Sequence, residues 1–162
     1  MIDLIKNLFN KINHPVSLME VCGTHTTAIF KHGIRSLLPE GLRLLSGPGC
    51  PVCVTSIKDI DKAITLSMLD DAILCTFGDM MRVPGGKNSL SEAKAEGADI
   101  RIVYSPLECL TIAQENKDKK IVFFSAGFET TAPSVSATIF EAERLAIKNF
   151  YVYSVHKLIP PA

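Results

Sequence analysis

Two short stretches hold residue types able to do chemistry. Cys50-Pro51-Val52-Cys53 follows Gly47-Pro48-Gly49, a run that lets the backbone turn tightly. Two thiols at this spacing close a small disulfide loop and exchange two electrons, or supply two ligands to a metal. A zinc site needs two more ligands, and with no second C-x-x-C in the chain these would be Cys22 and His25. The competing reading is a pair of small buried hydrophobes, for which a loop rich in glycine and proline is a poor setting. The second stretch is Cys22-Gly23-Thr24-His25-Thr26. It puts a soft thiolate and an imidazole within one turn. They can hold a metal jointly, or the histidine can lower the thiol pKa. The hydroxyls of Thr24 and Thr26, with nearby backbone N–H groups, can donate to an anion. The plain alternative is a buried cysteine and a helix-capping histidine.

Other candidates are single residues. Asp79 and Arg82 follow a strand-like run, where they pair with each other or meet a ligand. Glu129 lies in a glycine-flanked turn, as a functional carboxylate or a cap for the helix that follows. Cys75 and Cys109 sit in apolar surroundings and read as core. His156 lies just past a strand, while His14 and His32 read as surface. No phosphate loop, G-x-G-x-x-G or G-x-S-x-G elbow occurs.

These residues are positioned by a regular alternation of elements. Met1–Ile12 has one apolar stripe and reads as a helix, broken by His14-Pro15. Continuous apolar runs at Ser17–Val21, Leu42–Ser46, Ala72–Phe77, Ile100–Tyr104, Ile121–Ser125 and Phe150–Val155 read as strands covered on both faces. Helix starts are marked at Ser56, at Ser89-Leu90-Ser91-Glu92 and at Ser105-Pro106-Leu107-Glu108. Another lies at Thr131-Ala132-Pro133, opening a helix to about Ile147. The pattern predicts an α/β fold: a mostly parallel sheet with helices on both faces, a Rossmann-like three-layer arrangement. Residues 1–15 form an N-terminal helix and 16–162 the α/β domain. Ligands of such sheets bind beyond the carboxyl ends of the strands. The reactive residue types all follow strands, so they are expected on one rim.

Composition narrows the function classes. The chain has 162 residues, enough for a self-sufficient core. It is 47% hydrophobic, which argues against disorder. Seventeen basic and seventeen acidic residues cancel, which demotes generic nucleic-acid binding. No apolar run has the length of a membrane span, and the N-terminus lacks the pattern of an export signal. A cytoplasmic protein is expected. An odd count of five cysteines in that setting speaks against a disulfide framework.

Five motifs in order resemble the HypD hydrogenase formation proteins. They are Met19-Glu20-Val21-Cys22-Gly23-Thr24-His25-Thr26, Gly47-Pro48-Gly49-Cys50-Pro51-Val52-Cys53-Val54, and Cys75-Thr76-Phe77-Gly78-Asp79-Met80-Met81-Arg82-Val83-Pro84-Gly85. Arg101-Ile102-Val103-Tyr104-Ser105-Pro106 and Gly127-Phe128-Glu129-Thr130-Thr131 complete the set. The resemblance runs from about Leu18 onward. It implies a maturation factor for [NiFe]-hydrogenases, a scaffold on which iron receives two cyanides and one carbon monoxide. The implied partners are a small HypC-like chaperone, a HypE-like cyanide donor and, indirectly, the hydrogenase large subunit. Cys22 then matches the iron-binding cysteine with His25 beside it, and Cys50 and Cys53 match the redox pair. Thr24, Thr26, Asp79, Arg82, Glu129 and Thr130 would surround the iron or its diatomic ligands. The family is longer. Its C-terminal part completes a further lobe and binds a [4Fe–4S] cluster, whose ligands are not in these residues. On that comparison the chain reads as the N-terminal portion of a larger multi-lobe fold. The rival readings are a thiol–disulfide oxidoreductase using Cys50 and Cys53, a zinc-binding interaction module, and a folded but inactive remnant.

Overall fold

The computed structural model describes residues 2–12 and 14–159. The expected helical start at Met1, and the last residues of the expected 16–162 domain, lie outside the described residues. The chain separates into two compact units, Met1–Cys50 and Pro51–Ala162.

In the first unit, helix α1 covers Ile2–Phe9, shorter than the apolar stripe suggested. Strand β1 (Val16–Glu20) leads into helix α2 (Gly23–Lys31), a 3-10 turn at Ile34–Leu37 and strand β2 (Leu42–Ser46). The two strands pair in parallel, Val16 opposite Leu42 through Glu20 opposite Ser46. Just past them the Gly47 N–H donates to Glu20 O at 2.7 Å. A Cβ on Gly47 would stand 2.5 Å from that same oxygen. Glycine is therefore what lets the two strand ends stay together on their way to Cys22 and Cys50. None of the unit's described residues is fully buried. The expectation of strands covered on both faces is not met for β1 and β2 among the described residues, which are exposed or half-buried throughout.

The second unit opens with helices α3 (Pro51–Val54) and α4 (Ile57–Ser67). Strand β3 (Ala72–Thr76), helix α5 (Leu90–Ala95) and strand β4 (Ile100–Ile102) follow. Helix α6 (Glu108–Glu115), strand β5 (Lys120–Ser125), helix α7 (Ala132–Arg144) and strand β6 (Phe150–Ser154) complete it. The strands form one parallel sheet in the order β4-β3-β5-β6. Side chains alternate across it. Leu74, Val122 and Phe124 pack with Ile60 and Ala63 of α4 and Leu90 and Ala93 of α5. Ile73, Cys75, Ile121 and Phe123 pack with Cys109 and Ala113 of α6 and Val135 of α7. Helices cover both faces, and the three-layer α/β class holds. The parallel strands are divided between two sheets, however, and the reactive residues follow strands of both.

The marked helix starts are realised with one change. Ser56 and Ser89 accept the N–H groups of Asp59 and Glu92 as caps, and Ser89 with Glu92 completes a capping box. The expected start at Ser105-Pro106 moves to Glu108. There Ser105 Oγ accepts the Leu107 N–H at 3.3 Å, and Glu108, Cys109 and Leu110 donate three residues back. A tight 3-10 turn thus precedes the α-helix. Helix α7 stops at Arg144, before the expected Ile147. Ala146 takes φ 53°, while Ile147 N–H reaches Ala142 O and Ala146 N–H reaches Glu143 O. This is a Schellman ending with alanine in the position that glycine usually fills.

Candidate functional site

In the first unit the site grows from the start of α2. Cys22 is the residue before the helix, in extended conformation, so its carbonyl accepts the first helical N–H bonds from His25 and Thr26. Its thiol faces donors at that same end. The Thr24 N–H, the Thr24 hydroxyl and the His25 N–H hold the Cys22 pKa below the ordinary thiol range, with the Cys50 thiol adding to them. Hydrogen bonds to the charged form favour it, so these donors shift Cys22 toward its thiolate. Thr26 acts elsewhere: its hydroxyl donates to Glu20 Oε1 at 2.6 Å, which lowers the Glu20 pKa. Glu20 thereby ties the end of β1 to the first turn of α2, a role not anticipated from the sequence. The signal available was its position two residues before the cysteine. Arg35 donates to Ser46 Oγ at 2.9 Å at the end of β2. The structure therefore brings Cys22, Thr24, the backbone N–H of His25 and Cys50 together, while His25 itself is exposed. Among the described residues, no group of three or more His, Cys, Asp or Glu side chains is placed to hold a metal.

In the second unit Cys53 is exposed on α3 and lines a cleft of about 450 Å³ with Val52, Ile57, Asp79, Arg82 and Pro84. The 3-10 turn Gly78–Arg82 follows β3. Its Met80 and Met81 are buried, which turns Asp79 and Arg82 outward. The two do not pair with each other.

The loop after β5 carries Glu129, Thr130 and Thr131. The exposed Glu129 carboxylate accepts the Ile159 N–H at 3.0 and 3.2 Å, so it holds the segment beyond β6. Thr130 is exposed. Thr131 is the more structured member. Its hydroxyl donates to Phe128 O at 3.0 Å and meets His156 Nε2 at 3.0 Å. One hydroxyl proton serves one acceptor, so the second contact is His156 Nε2–H donating to Thr131. His156 Nδ1 then accepts from the Ser154 hydroxyl at 2.9 Å. Burial lowers the His156 pKa, in keeping with this neutral form. Thr131 and His156 thus link the loop after β5 to the segment after β6. Cys75 and Cys109 are fully buried, as expected, and contact with Cys75 pushes the Cys109 thiol well up.

No described helix is long and apolar enough to cross a membrane. The HypD family profile, described as the hydrogenase formation hypA family, matches residues 1–162. The chain is 47% identical to the hydrogenase maturation factor HypD of Escherichia coli over 98% of its own length and 44% of that protein's. It is 54% identical to hydrogenase maturation factor HypD of Azotobacter vinelandii, over 90% of this chain and 38% of the relative. A putative hydrogenase expression/formation protein of Methanocaldococcus jannaschii is 46% identical over 99% of this chain and 44% of the relative. The chain spans about two fifths of the length of these relatives. By profile and by identity alike, it belongs to the HypD family of hydrogenase formation proteins.

Proposed function

We propose that this chain carries iron during hydrogenase maturation, with Cys22 as the protein ligand, His25 beside it, and Cys50 and Cys53 as an electron-exchanging pair. The observation that carries the reading is the setting of Cys22. Two backbone N–H groups and a hydroxyl favour its thiolate, and a thiolate suits low-spin iron. A closed four-ligand site would retain its metal. A cargo iron would instead have its other positions open to ligands brought from outside. In the family picture these are two cyanides from a HypE-like donor and one carbon monoxide, with a HypC-like partner sharing the iron. The finished Fe(CN)2CO group passes to the hydrogenase large subunit. The C-P-V-C spacing supports the redox role, because a dithiol yields two electrons on forming its disulfide.

The test is infrared spectroscopy of the full-length protein purified with its HypC-like partner. Cyanide and carbonyl stretching bands are expected, and Cys22→Ala should abolish them. Unchanged bands in that variant would remove Cys22 from the iron.

A further inference from the structure

We propose that the cleft beside Cys53 binds a small zwitterionic thiol of the amino-acid class, which reduces the Cys50–Cys53 disulfide by attacking Cys53. The inference rests on the reading of Cys50 and Cys53 as a redox pair and names the reductant of that pair. Its basis is the Gly78–Arg82 turn. A 3-10 helix has three residues per turn, so Asp79 and Arg82 stand one above the other. Buried Met80 and Met81 anchor the turn and leave both charges exposed on the cleft. Neither forms an ion pair among the described residues. Opposite charges held side by side, with an exposed thiol on the same cleft, match a ligand bearing an ammonium, a carboxylate and a sulfur. Val52, Ile57 and Pro84 supply an apolar wall for its carbon skeleton. The cleft of about 450 Å³ is of small-molecule size.

The chemistry balances with two equivalents of thiol. A first thiolate attacks Cys53 Sγ. A mixed disulfide forms, the Cys50–Cys53 bond breaks, and Cys50 leaves as a thiolate that takes up a proton. A second thiolate attacks the ligand sulfur of the mixed disulfide, releasing Cys53 and a small disulfide. Two electrons have then passed from two thiols to the protein pair. Attack falls on Cys53 because access governs exchange. Cys53 is exposed, whereas Cys50 is half-buried.

The experiment measures reduction of the oxidised full-length protein by four probes: cysteine, N-acetylcysteine, cysteamine and 2-mercaptoethanol. Rates are corrected for each probe's thiolate fraction, and the mixed disulfide is mapped by mass spectrometry after acid quench. Cysteine should be fastest, with the mixed disulfide on Cys53. Arg82→Gln should lower the cysteine to 2-mercaptoethanol rate ratio by about two- to fivefold, the range of an exposed ion pair. Asp79→Asn should do the same, and should remove the advantage of cysteamine rather than that of N-acetylcysteine. Equal ratios in parent and variants, or a mixed disulfide on Cys50, would overturn the proposal while leaving the redox pair intact. If a redox titration finds no reversible Cys50–Cys53 disulfide, the underlying reading falls with it.

Discussion

Replacing Gly127 with alanine tests whether the Thr131–His156 link holds the loop after β5. A Cβ at this position would lie 1.8 Å from Thr131 Oγ1 and 2.9 Å from His156 Nε2. The Thr131 hydroxyl must move, breaking its bonds to Phe128 O and His156. Two such bonds are worth about 0.5–1.5 kcal/mol each, and overpacking adds about 1–3 kcal/mol. Lower entropy of the unfolded chain returns about 0.4–1 kcal/mol. The expected net loss is about 1–5.6 kcal/mol. Urea denaturation followed by tyrosine fluorescence is the assay. The chain has no tryptophan, and its three tyrosines, at 104, 151 and 153, all lie in the Pro51–Ala162 unit, so the signal reports this unit alone. With a slope of about 2 kcal/mol per molar, the midpoint should fall by about 0.5–2.8 M. Thr131→Ala removes the clashing atom. In that background the same Gly127→Ala change should cost about 1 kcal/mol, because only the edge of the His156 ring remains in the way. A Gly127→Ala variant within about 0.5 kcal/mol of the parent would refute the reasoning, as would strict additivity in the double variant.

Three further outcomes follow from other parts of the structure. Ala146→Gly should stabilise by about 0.5–1 kcal/mol in the same assay, since alanine in the left-handed region is strained and glycine is not. Tyr153 donates to Asp59 Oδ1 at 2.9 Å, and desolvation together with that bond pushes its pKa up to about 12. Its folded pKa lies above the unfolded value of about 10, so the stability it contributes is full below pH 10 and is lost between about 10 and 12. Absorbance titration should show one late tyrosine, absent in Tyr153→Phe. Alkylation of Cys22 by iodoacetamide, followed by peptide mapping, should have its pH midpoint below that of an ordinary thiol. Thr24→Ala should move the midpoint upward part of the way, since the backbone donors remain; no movement would remove the hydroxyl from the account.

The sequence by itself determined the α/β class, the six strands and most helix starts. These depend on local signals: continuous apolar runs, serine caps and prolines at first turns. The two cysteine stretches were legible for the same reason, since spacing alone makes C-x-x-C and Cys-Gly-Thr-His chemically suggestive. Only the tertiary structure decided which groups meet. Strand pairing is non-local, so alternation could not reveal that β1 and β2 form a sheet apart from the other four strands. Nor could it show that Cys50 stands with Cys22, while Cys53 lies on a cleft with Asp79 and Arg82. Glu20 and His156 acquire their roles through partners 6 and 25 residues away. Thr26 reads as an anion donor in the sequence, yet its proton is held by Glu20. A hydroxyl's chemistry depends on where its one proton goes, and that is set by neighbours the chain brings together only on folding.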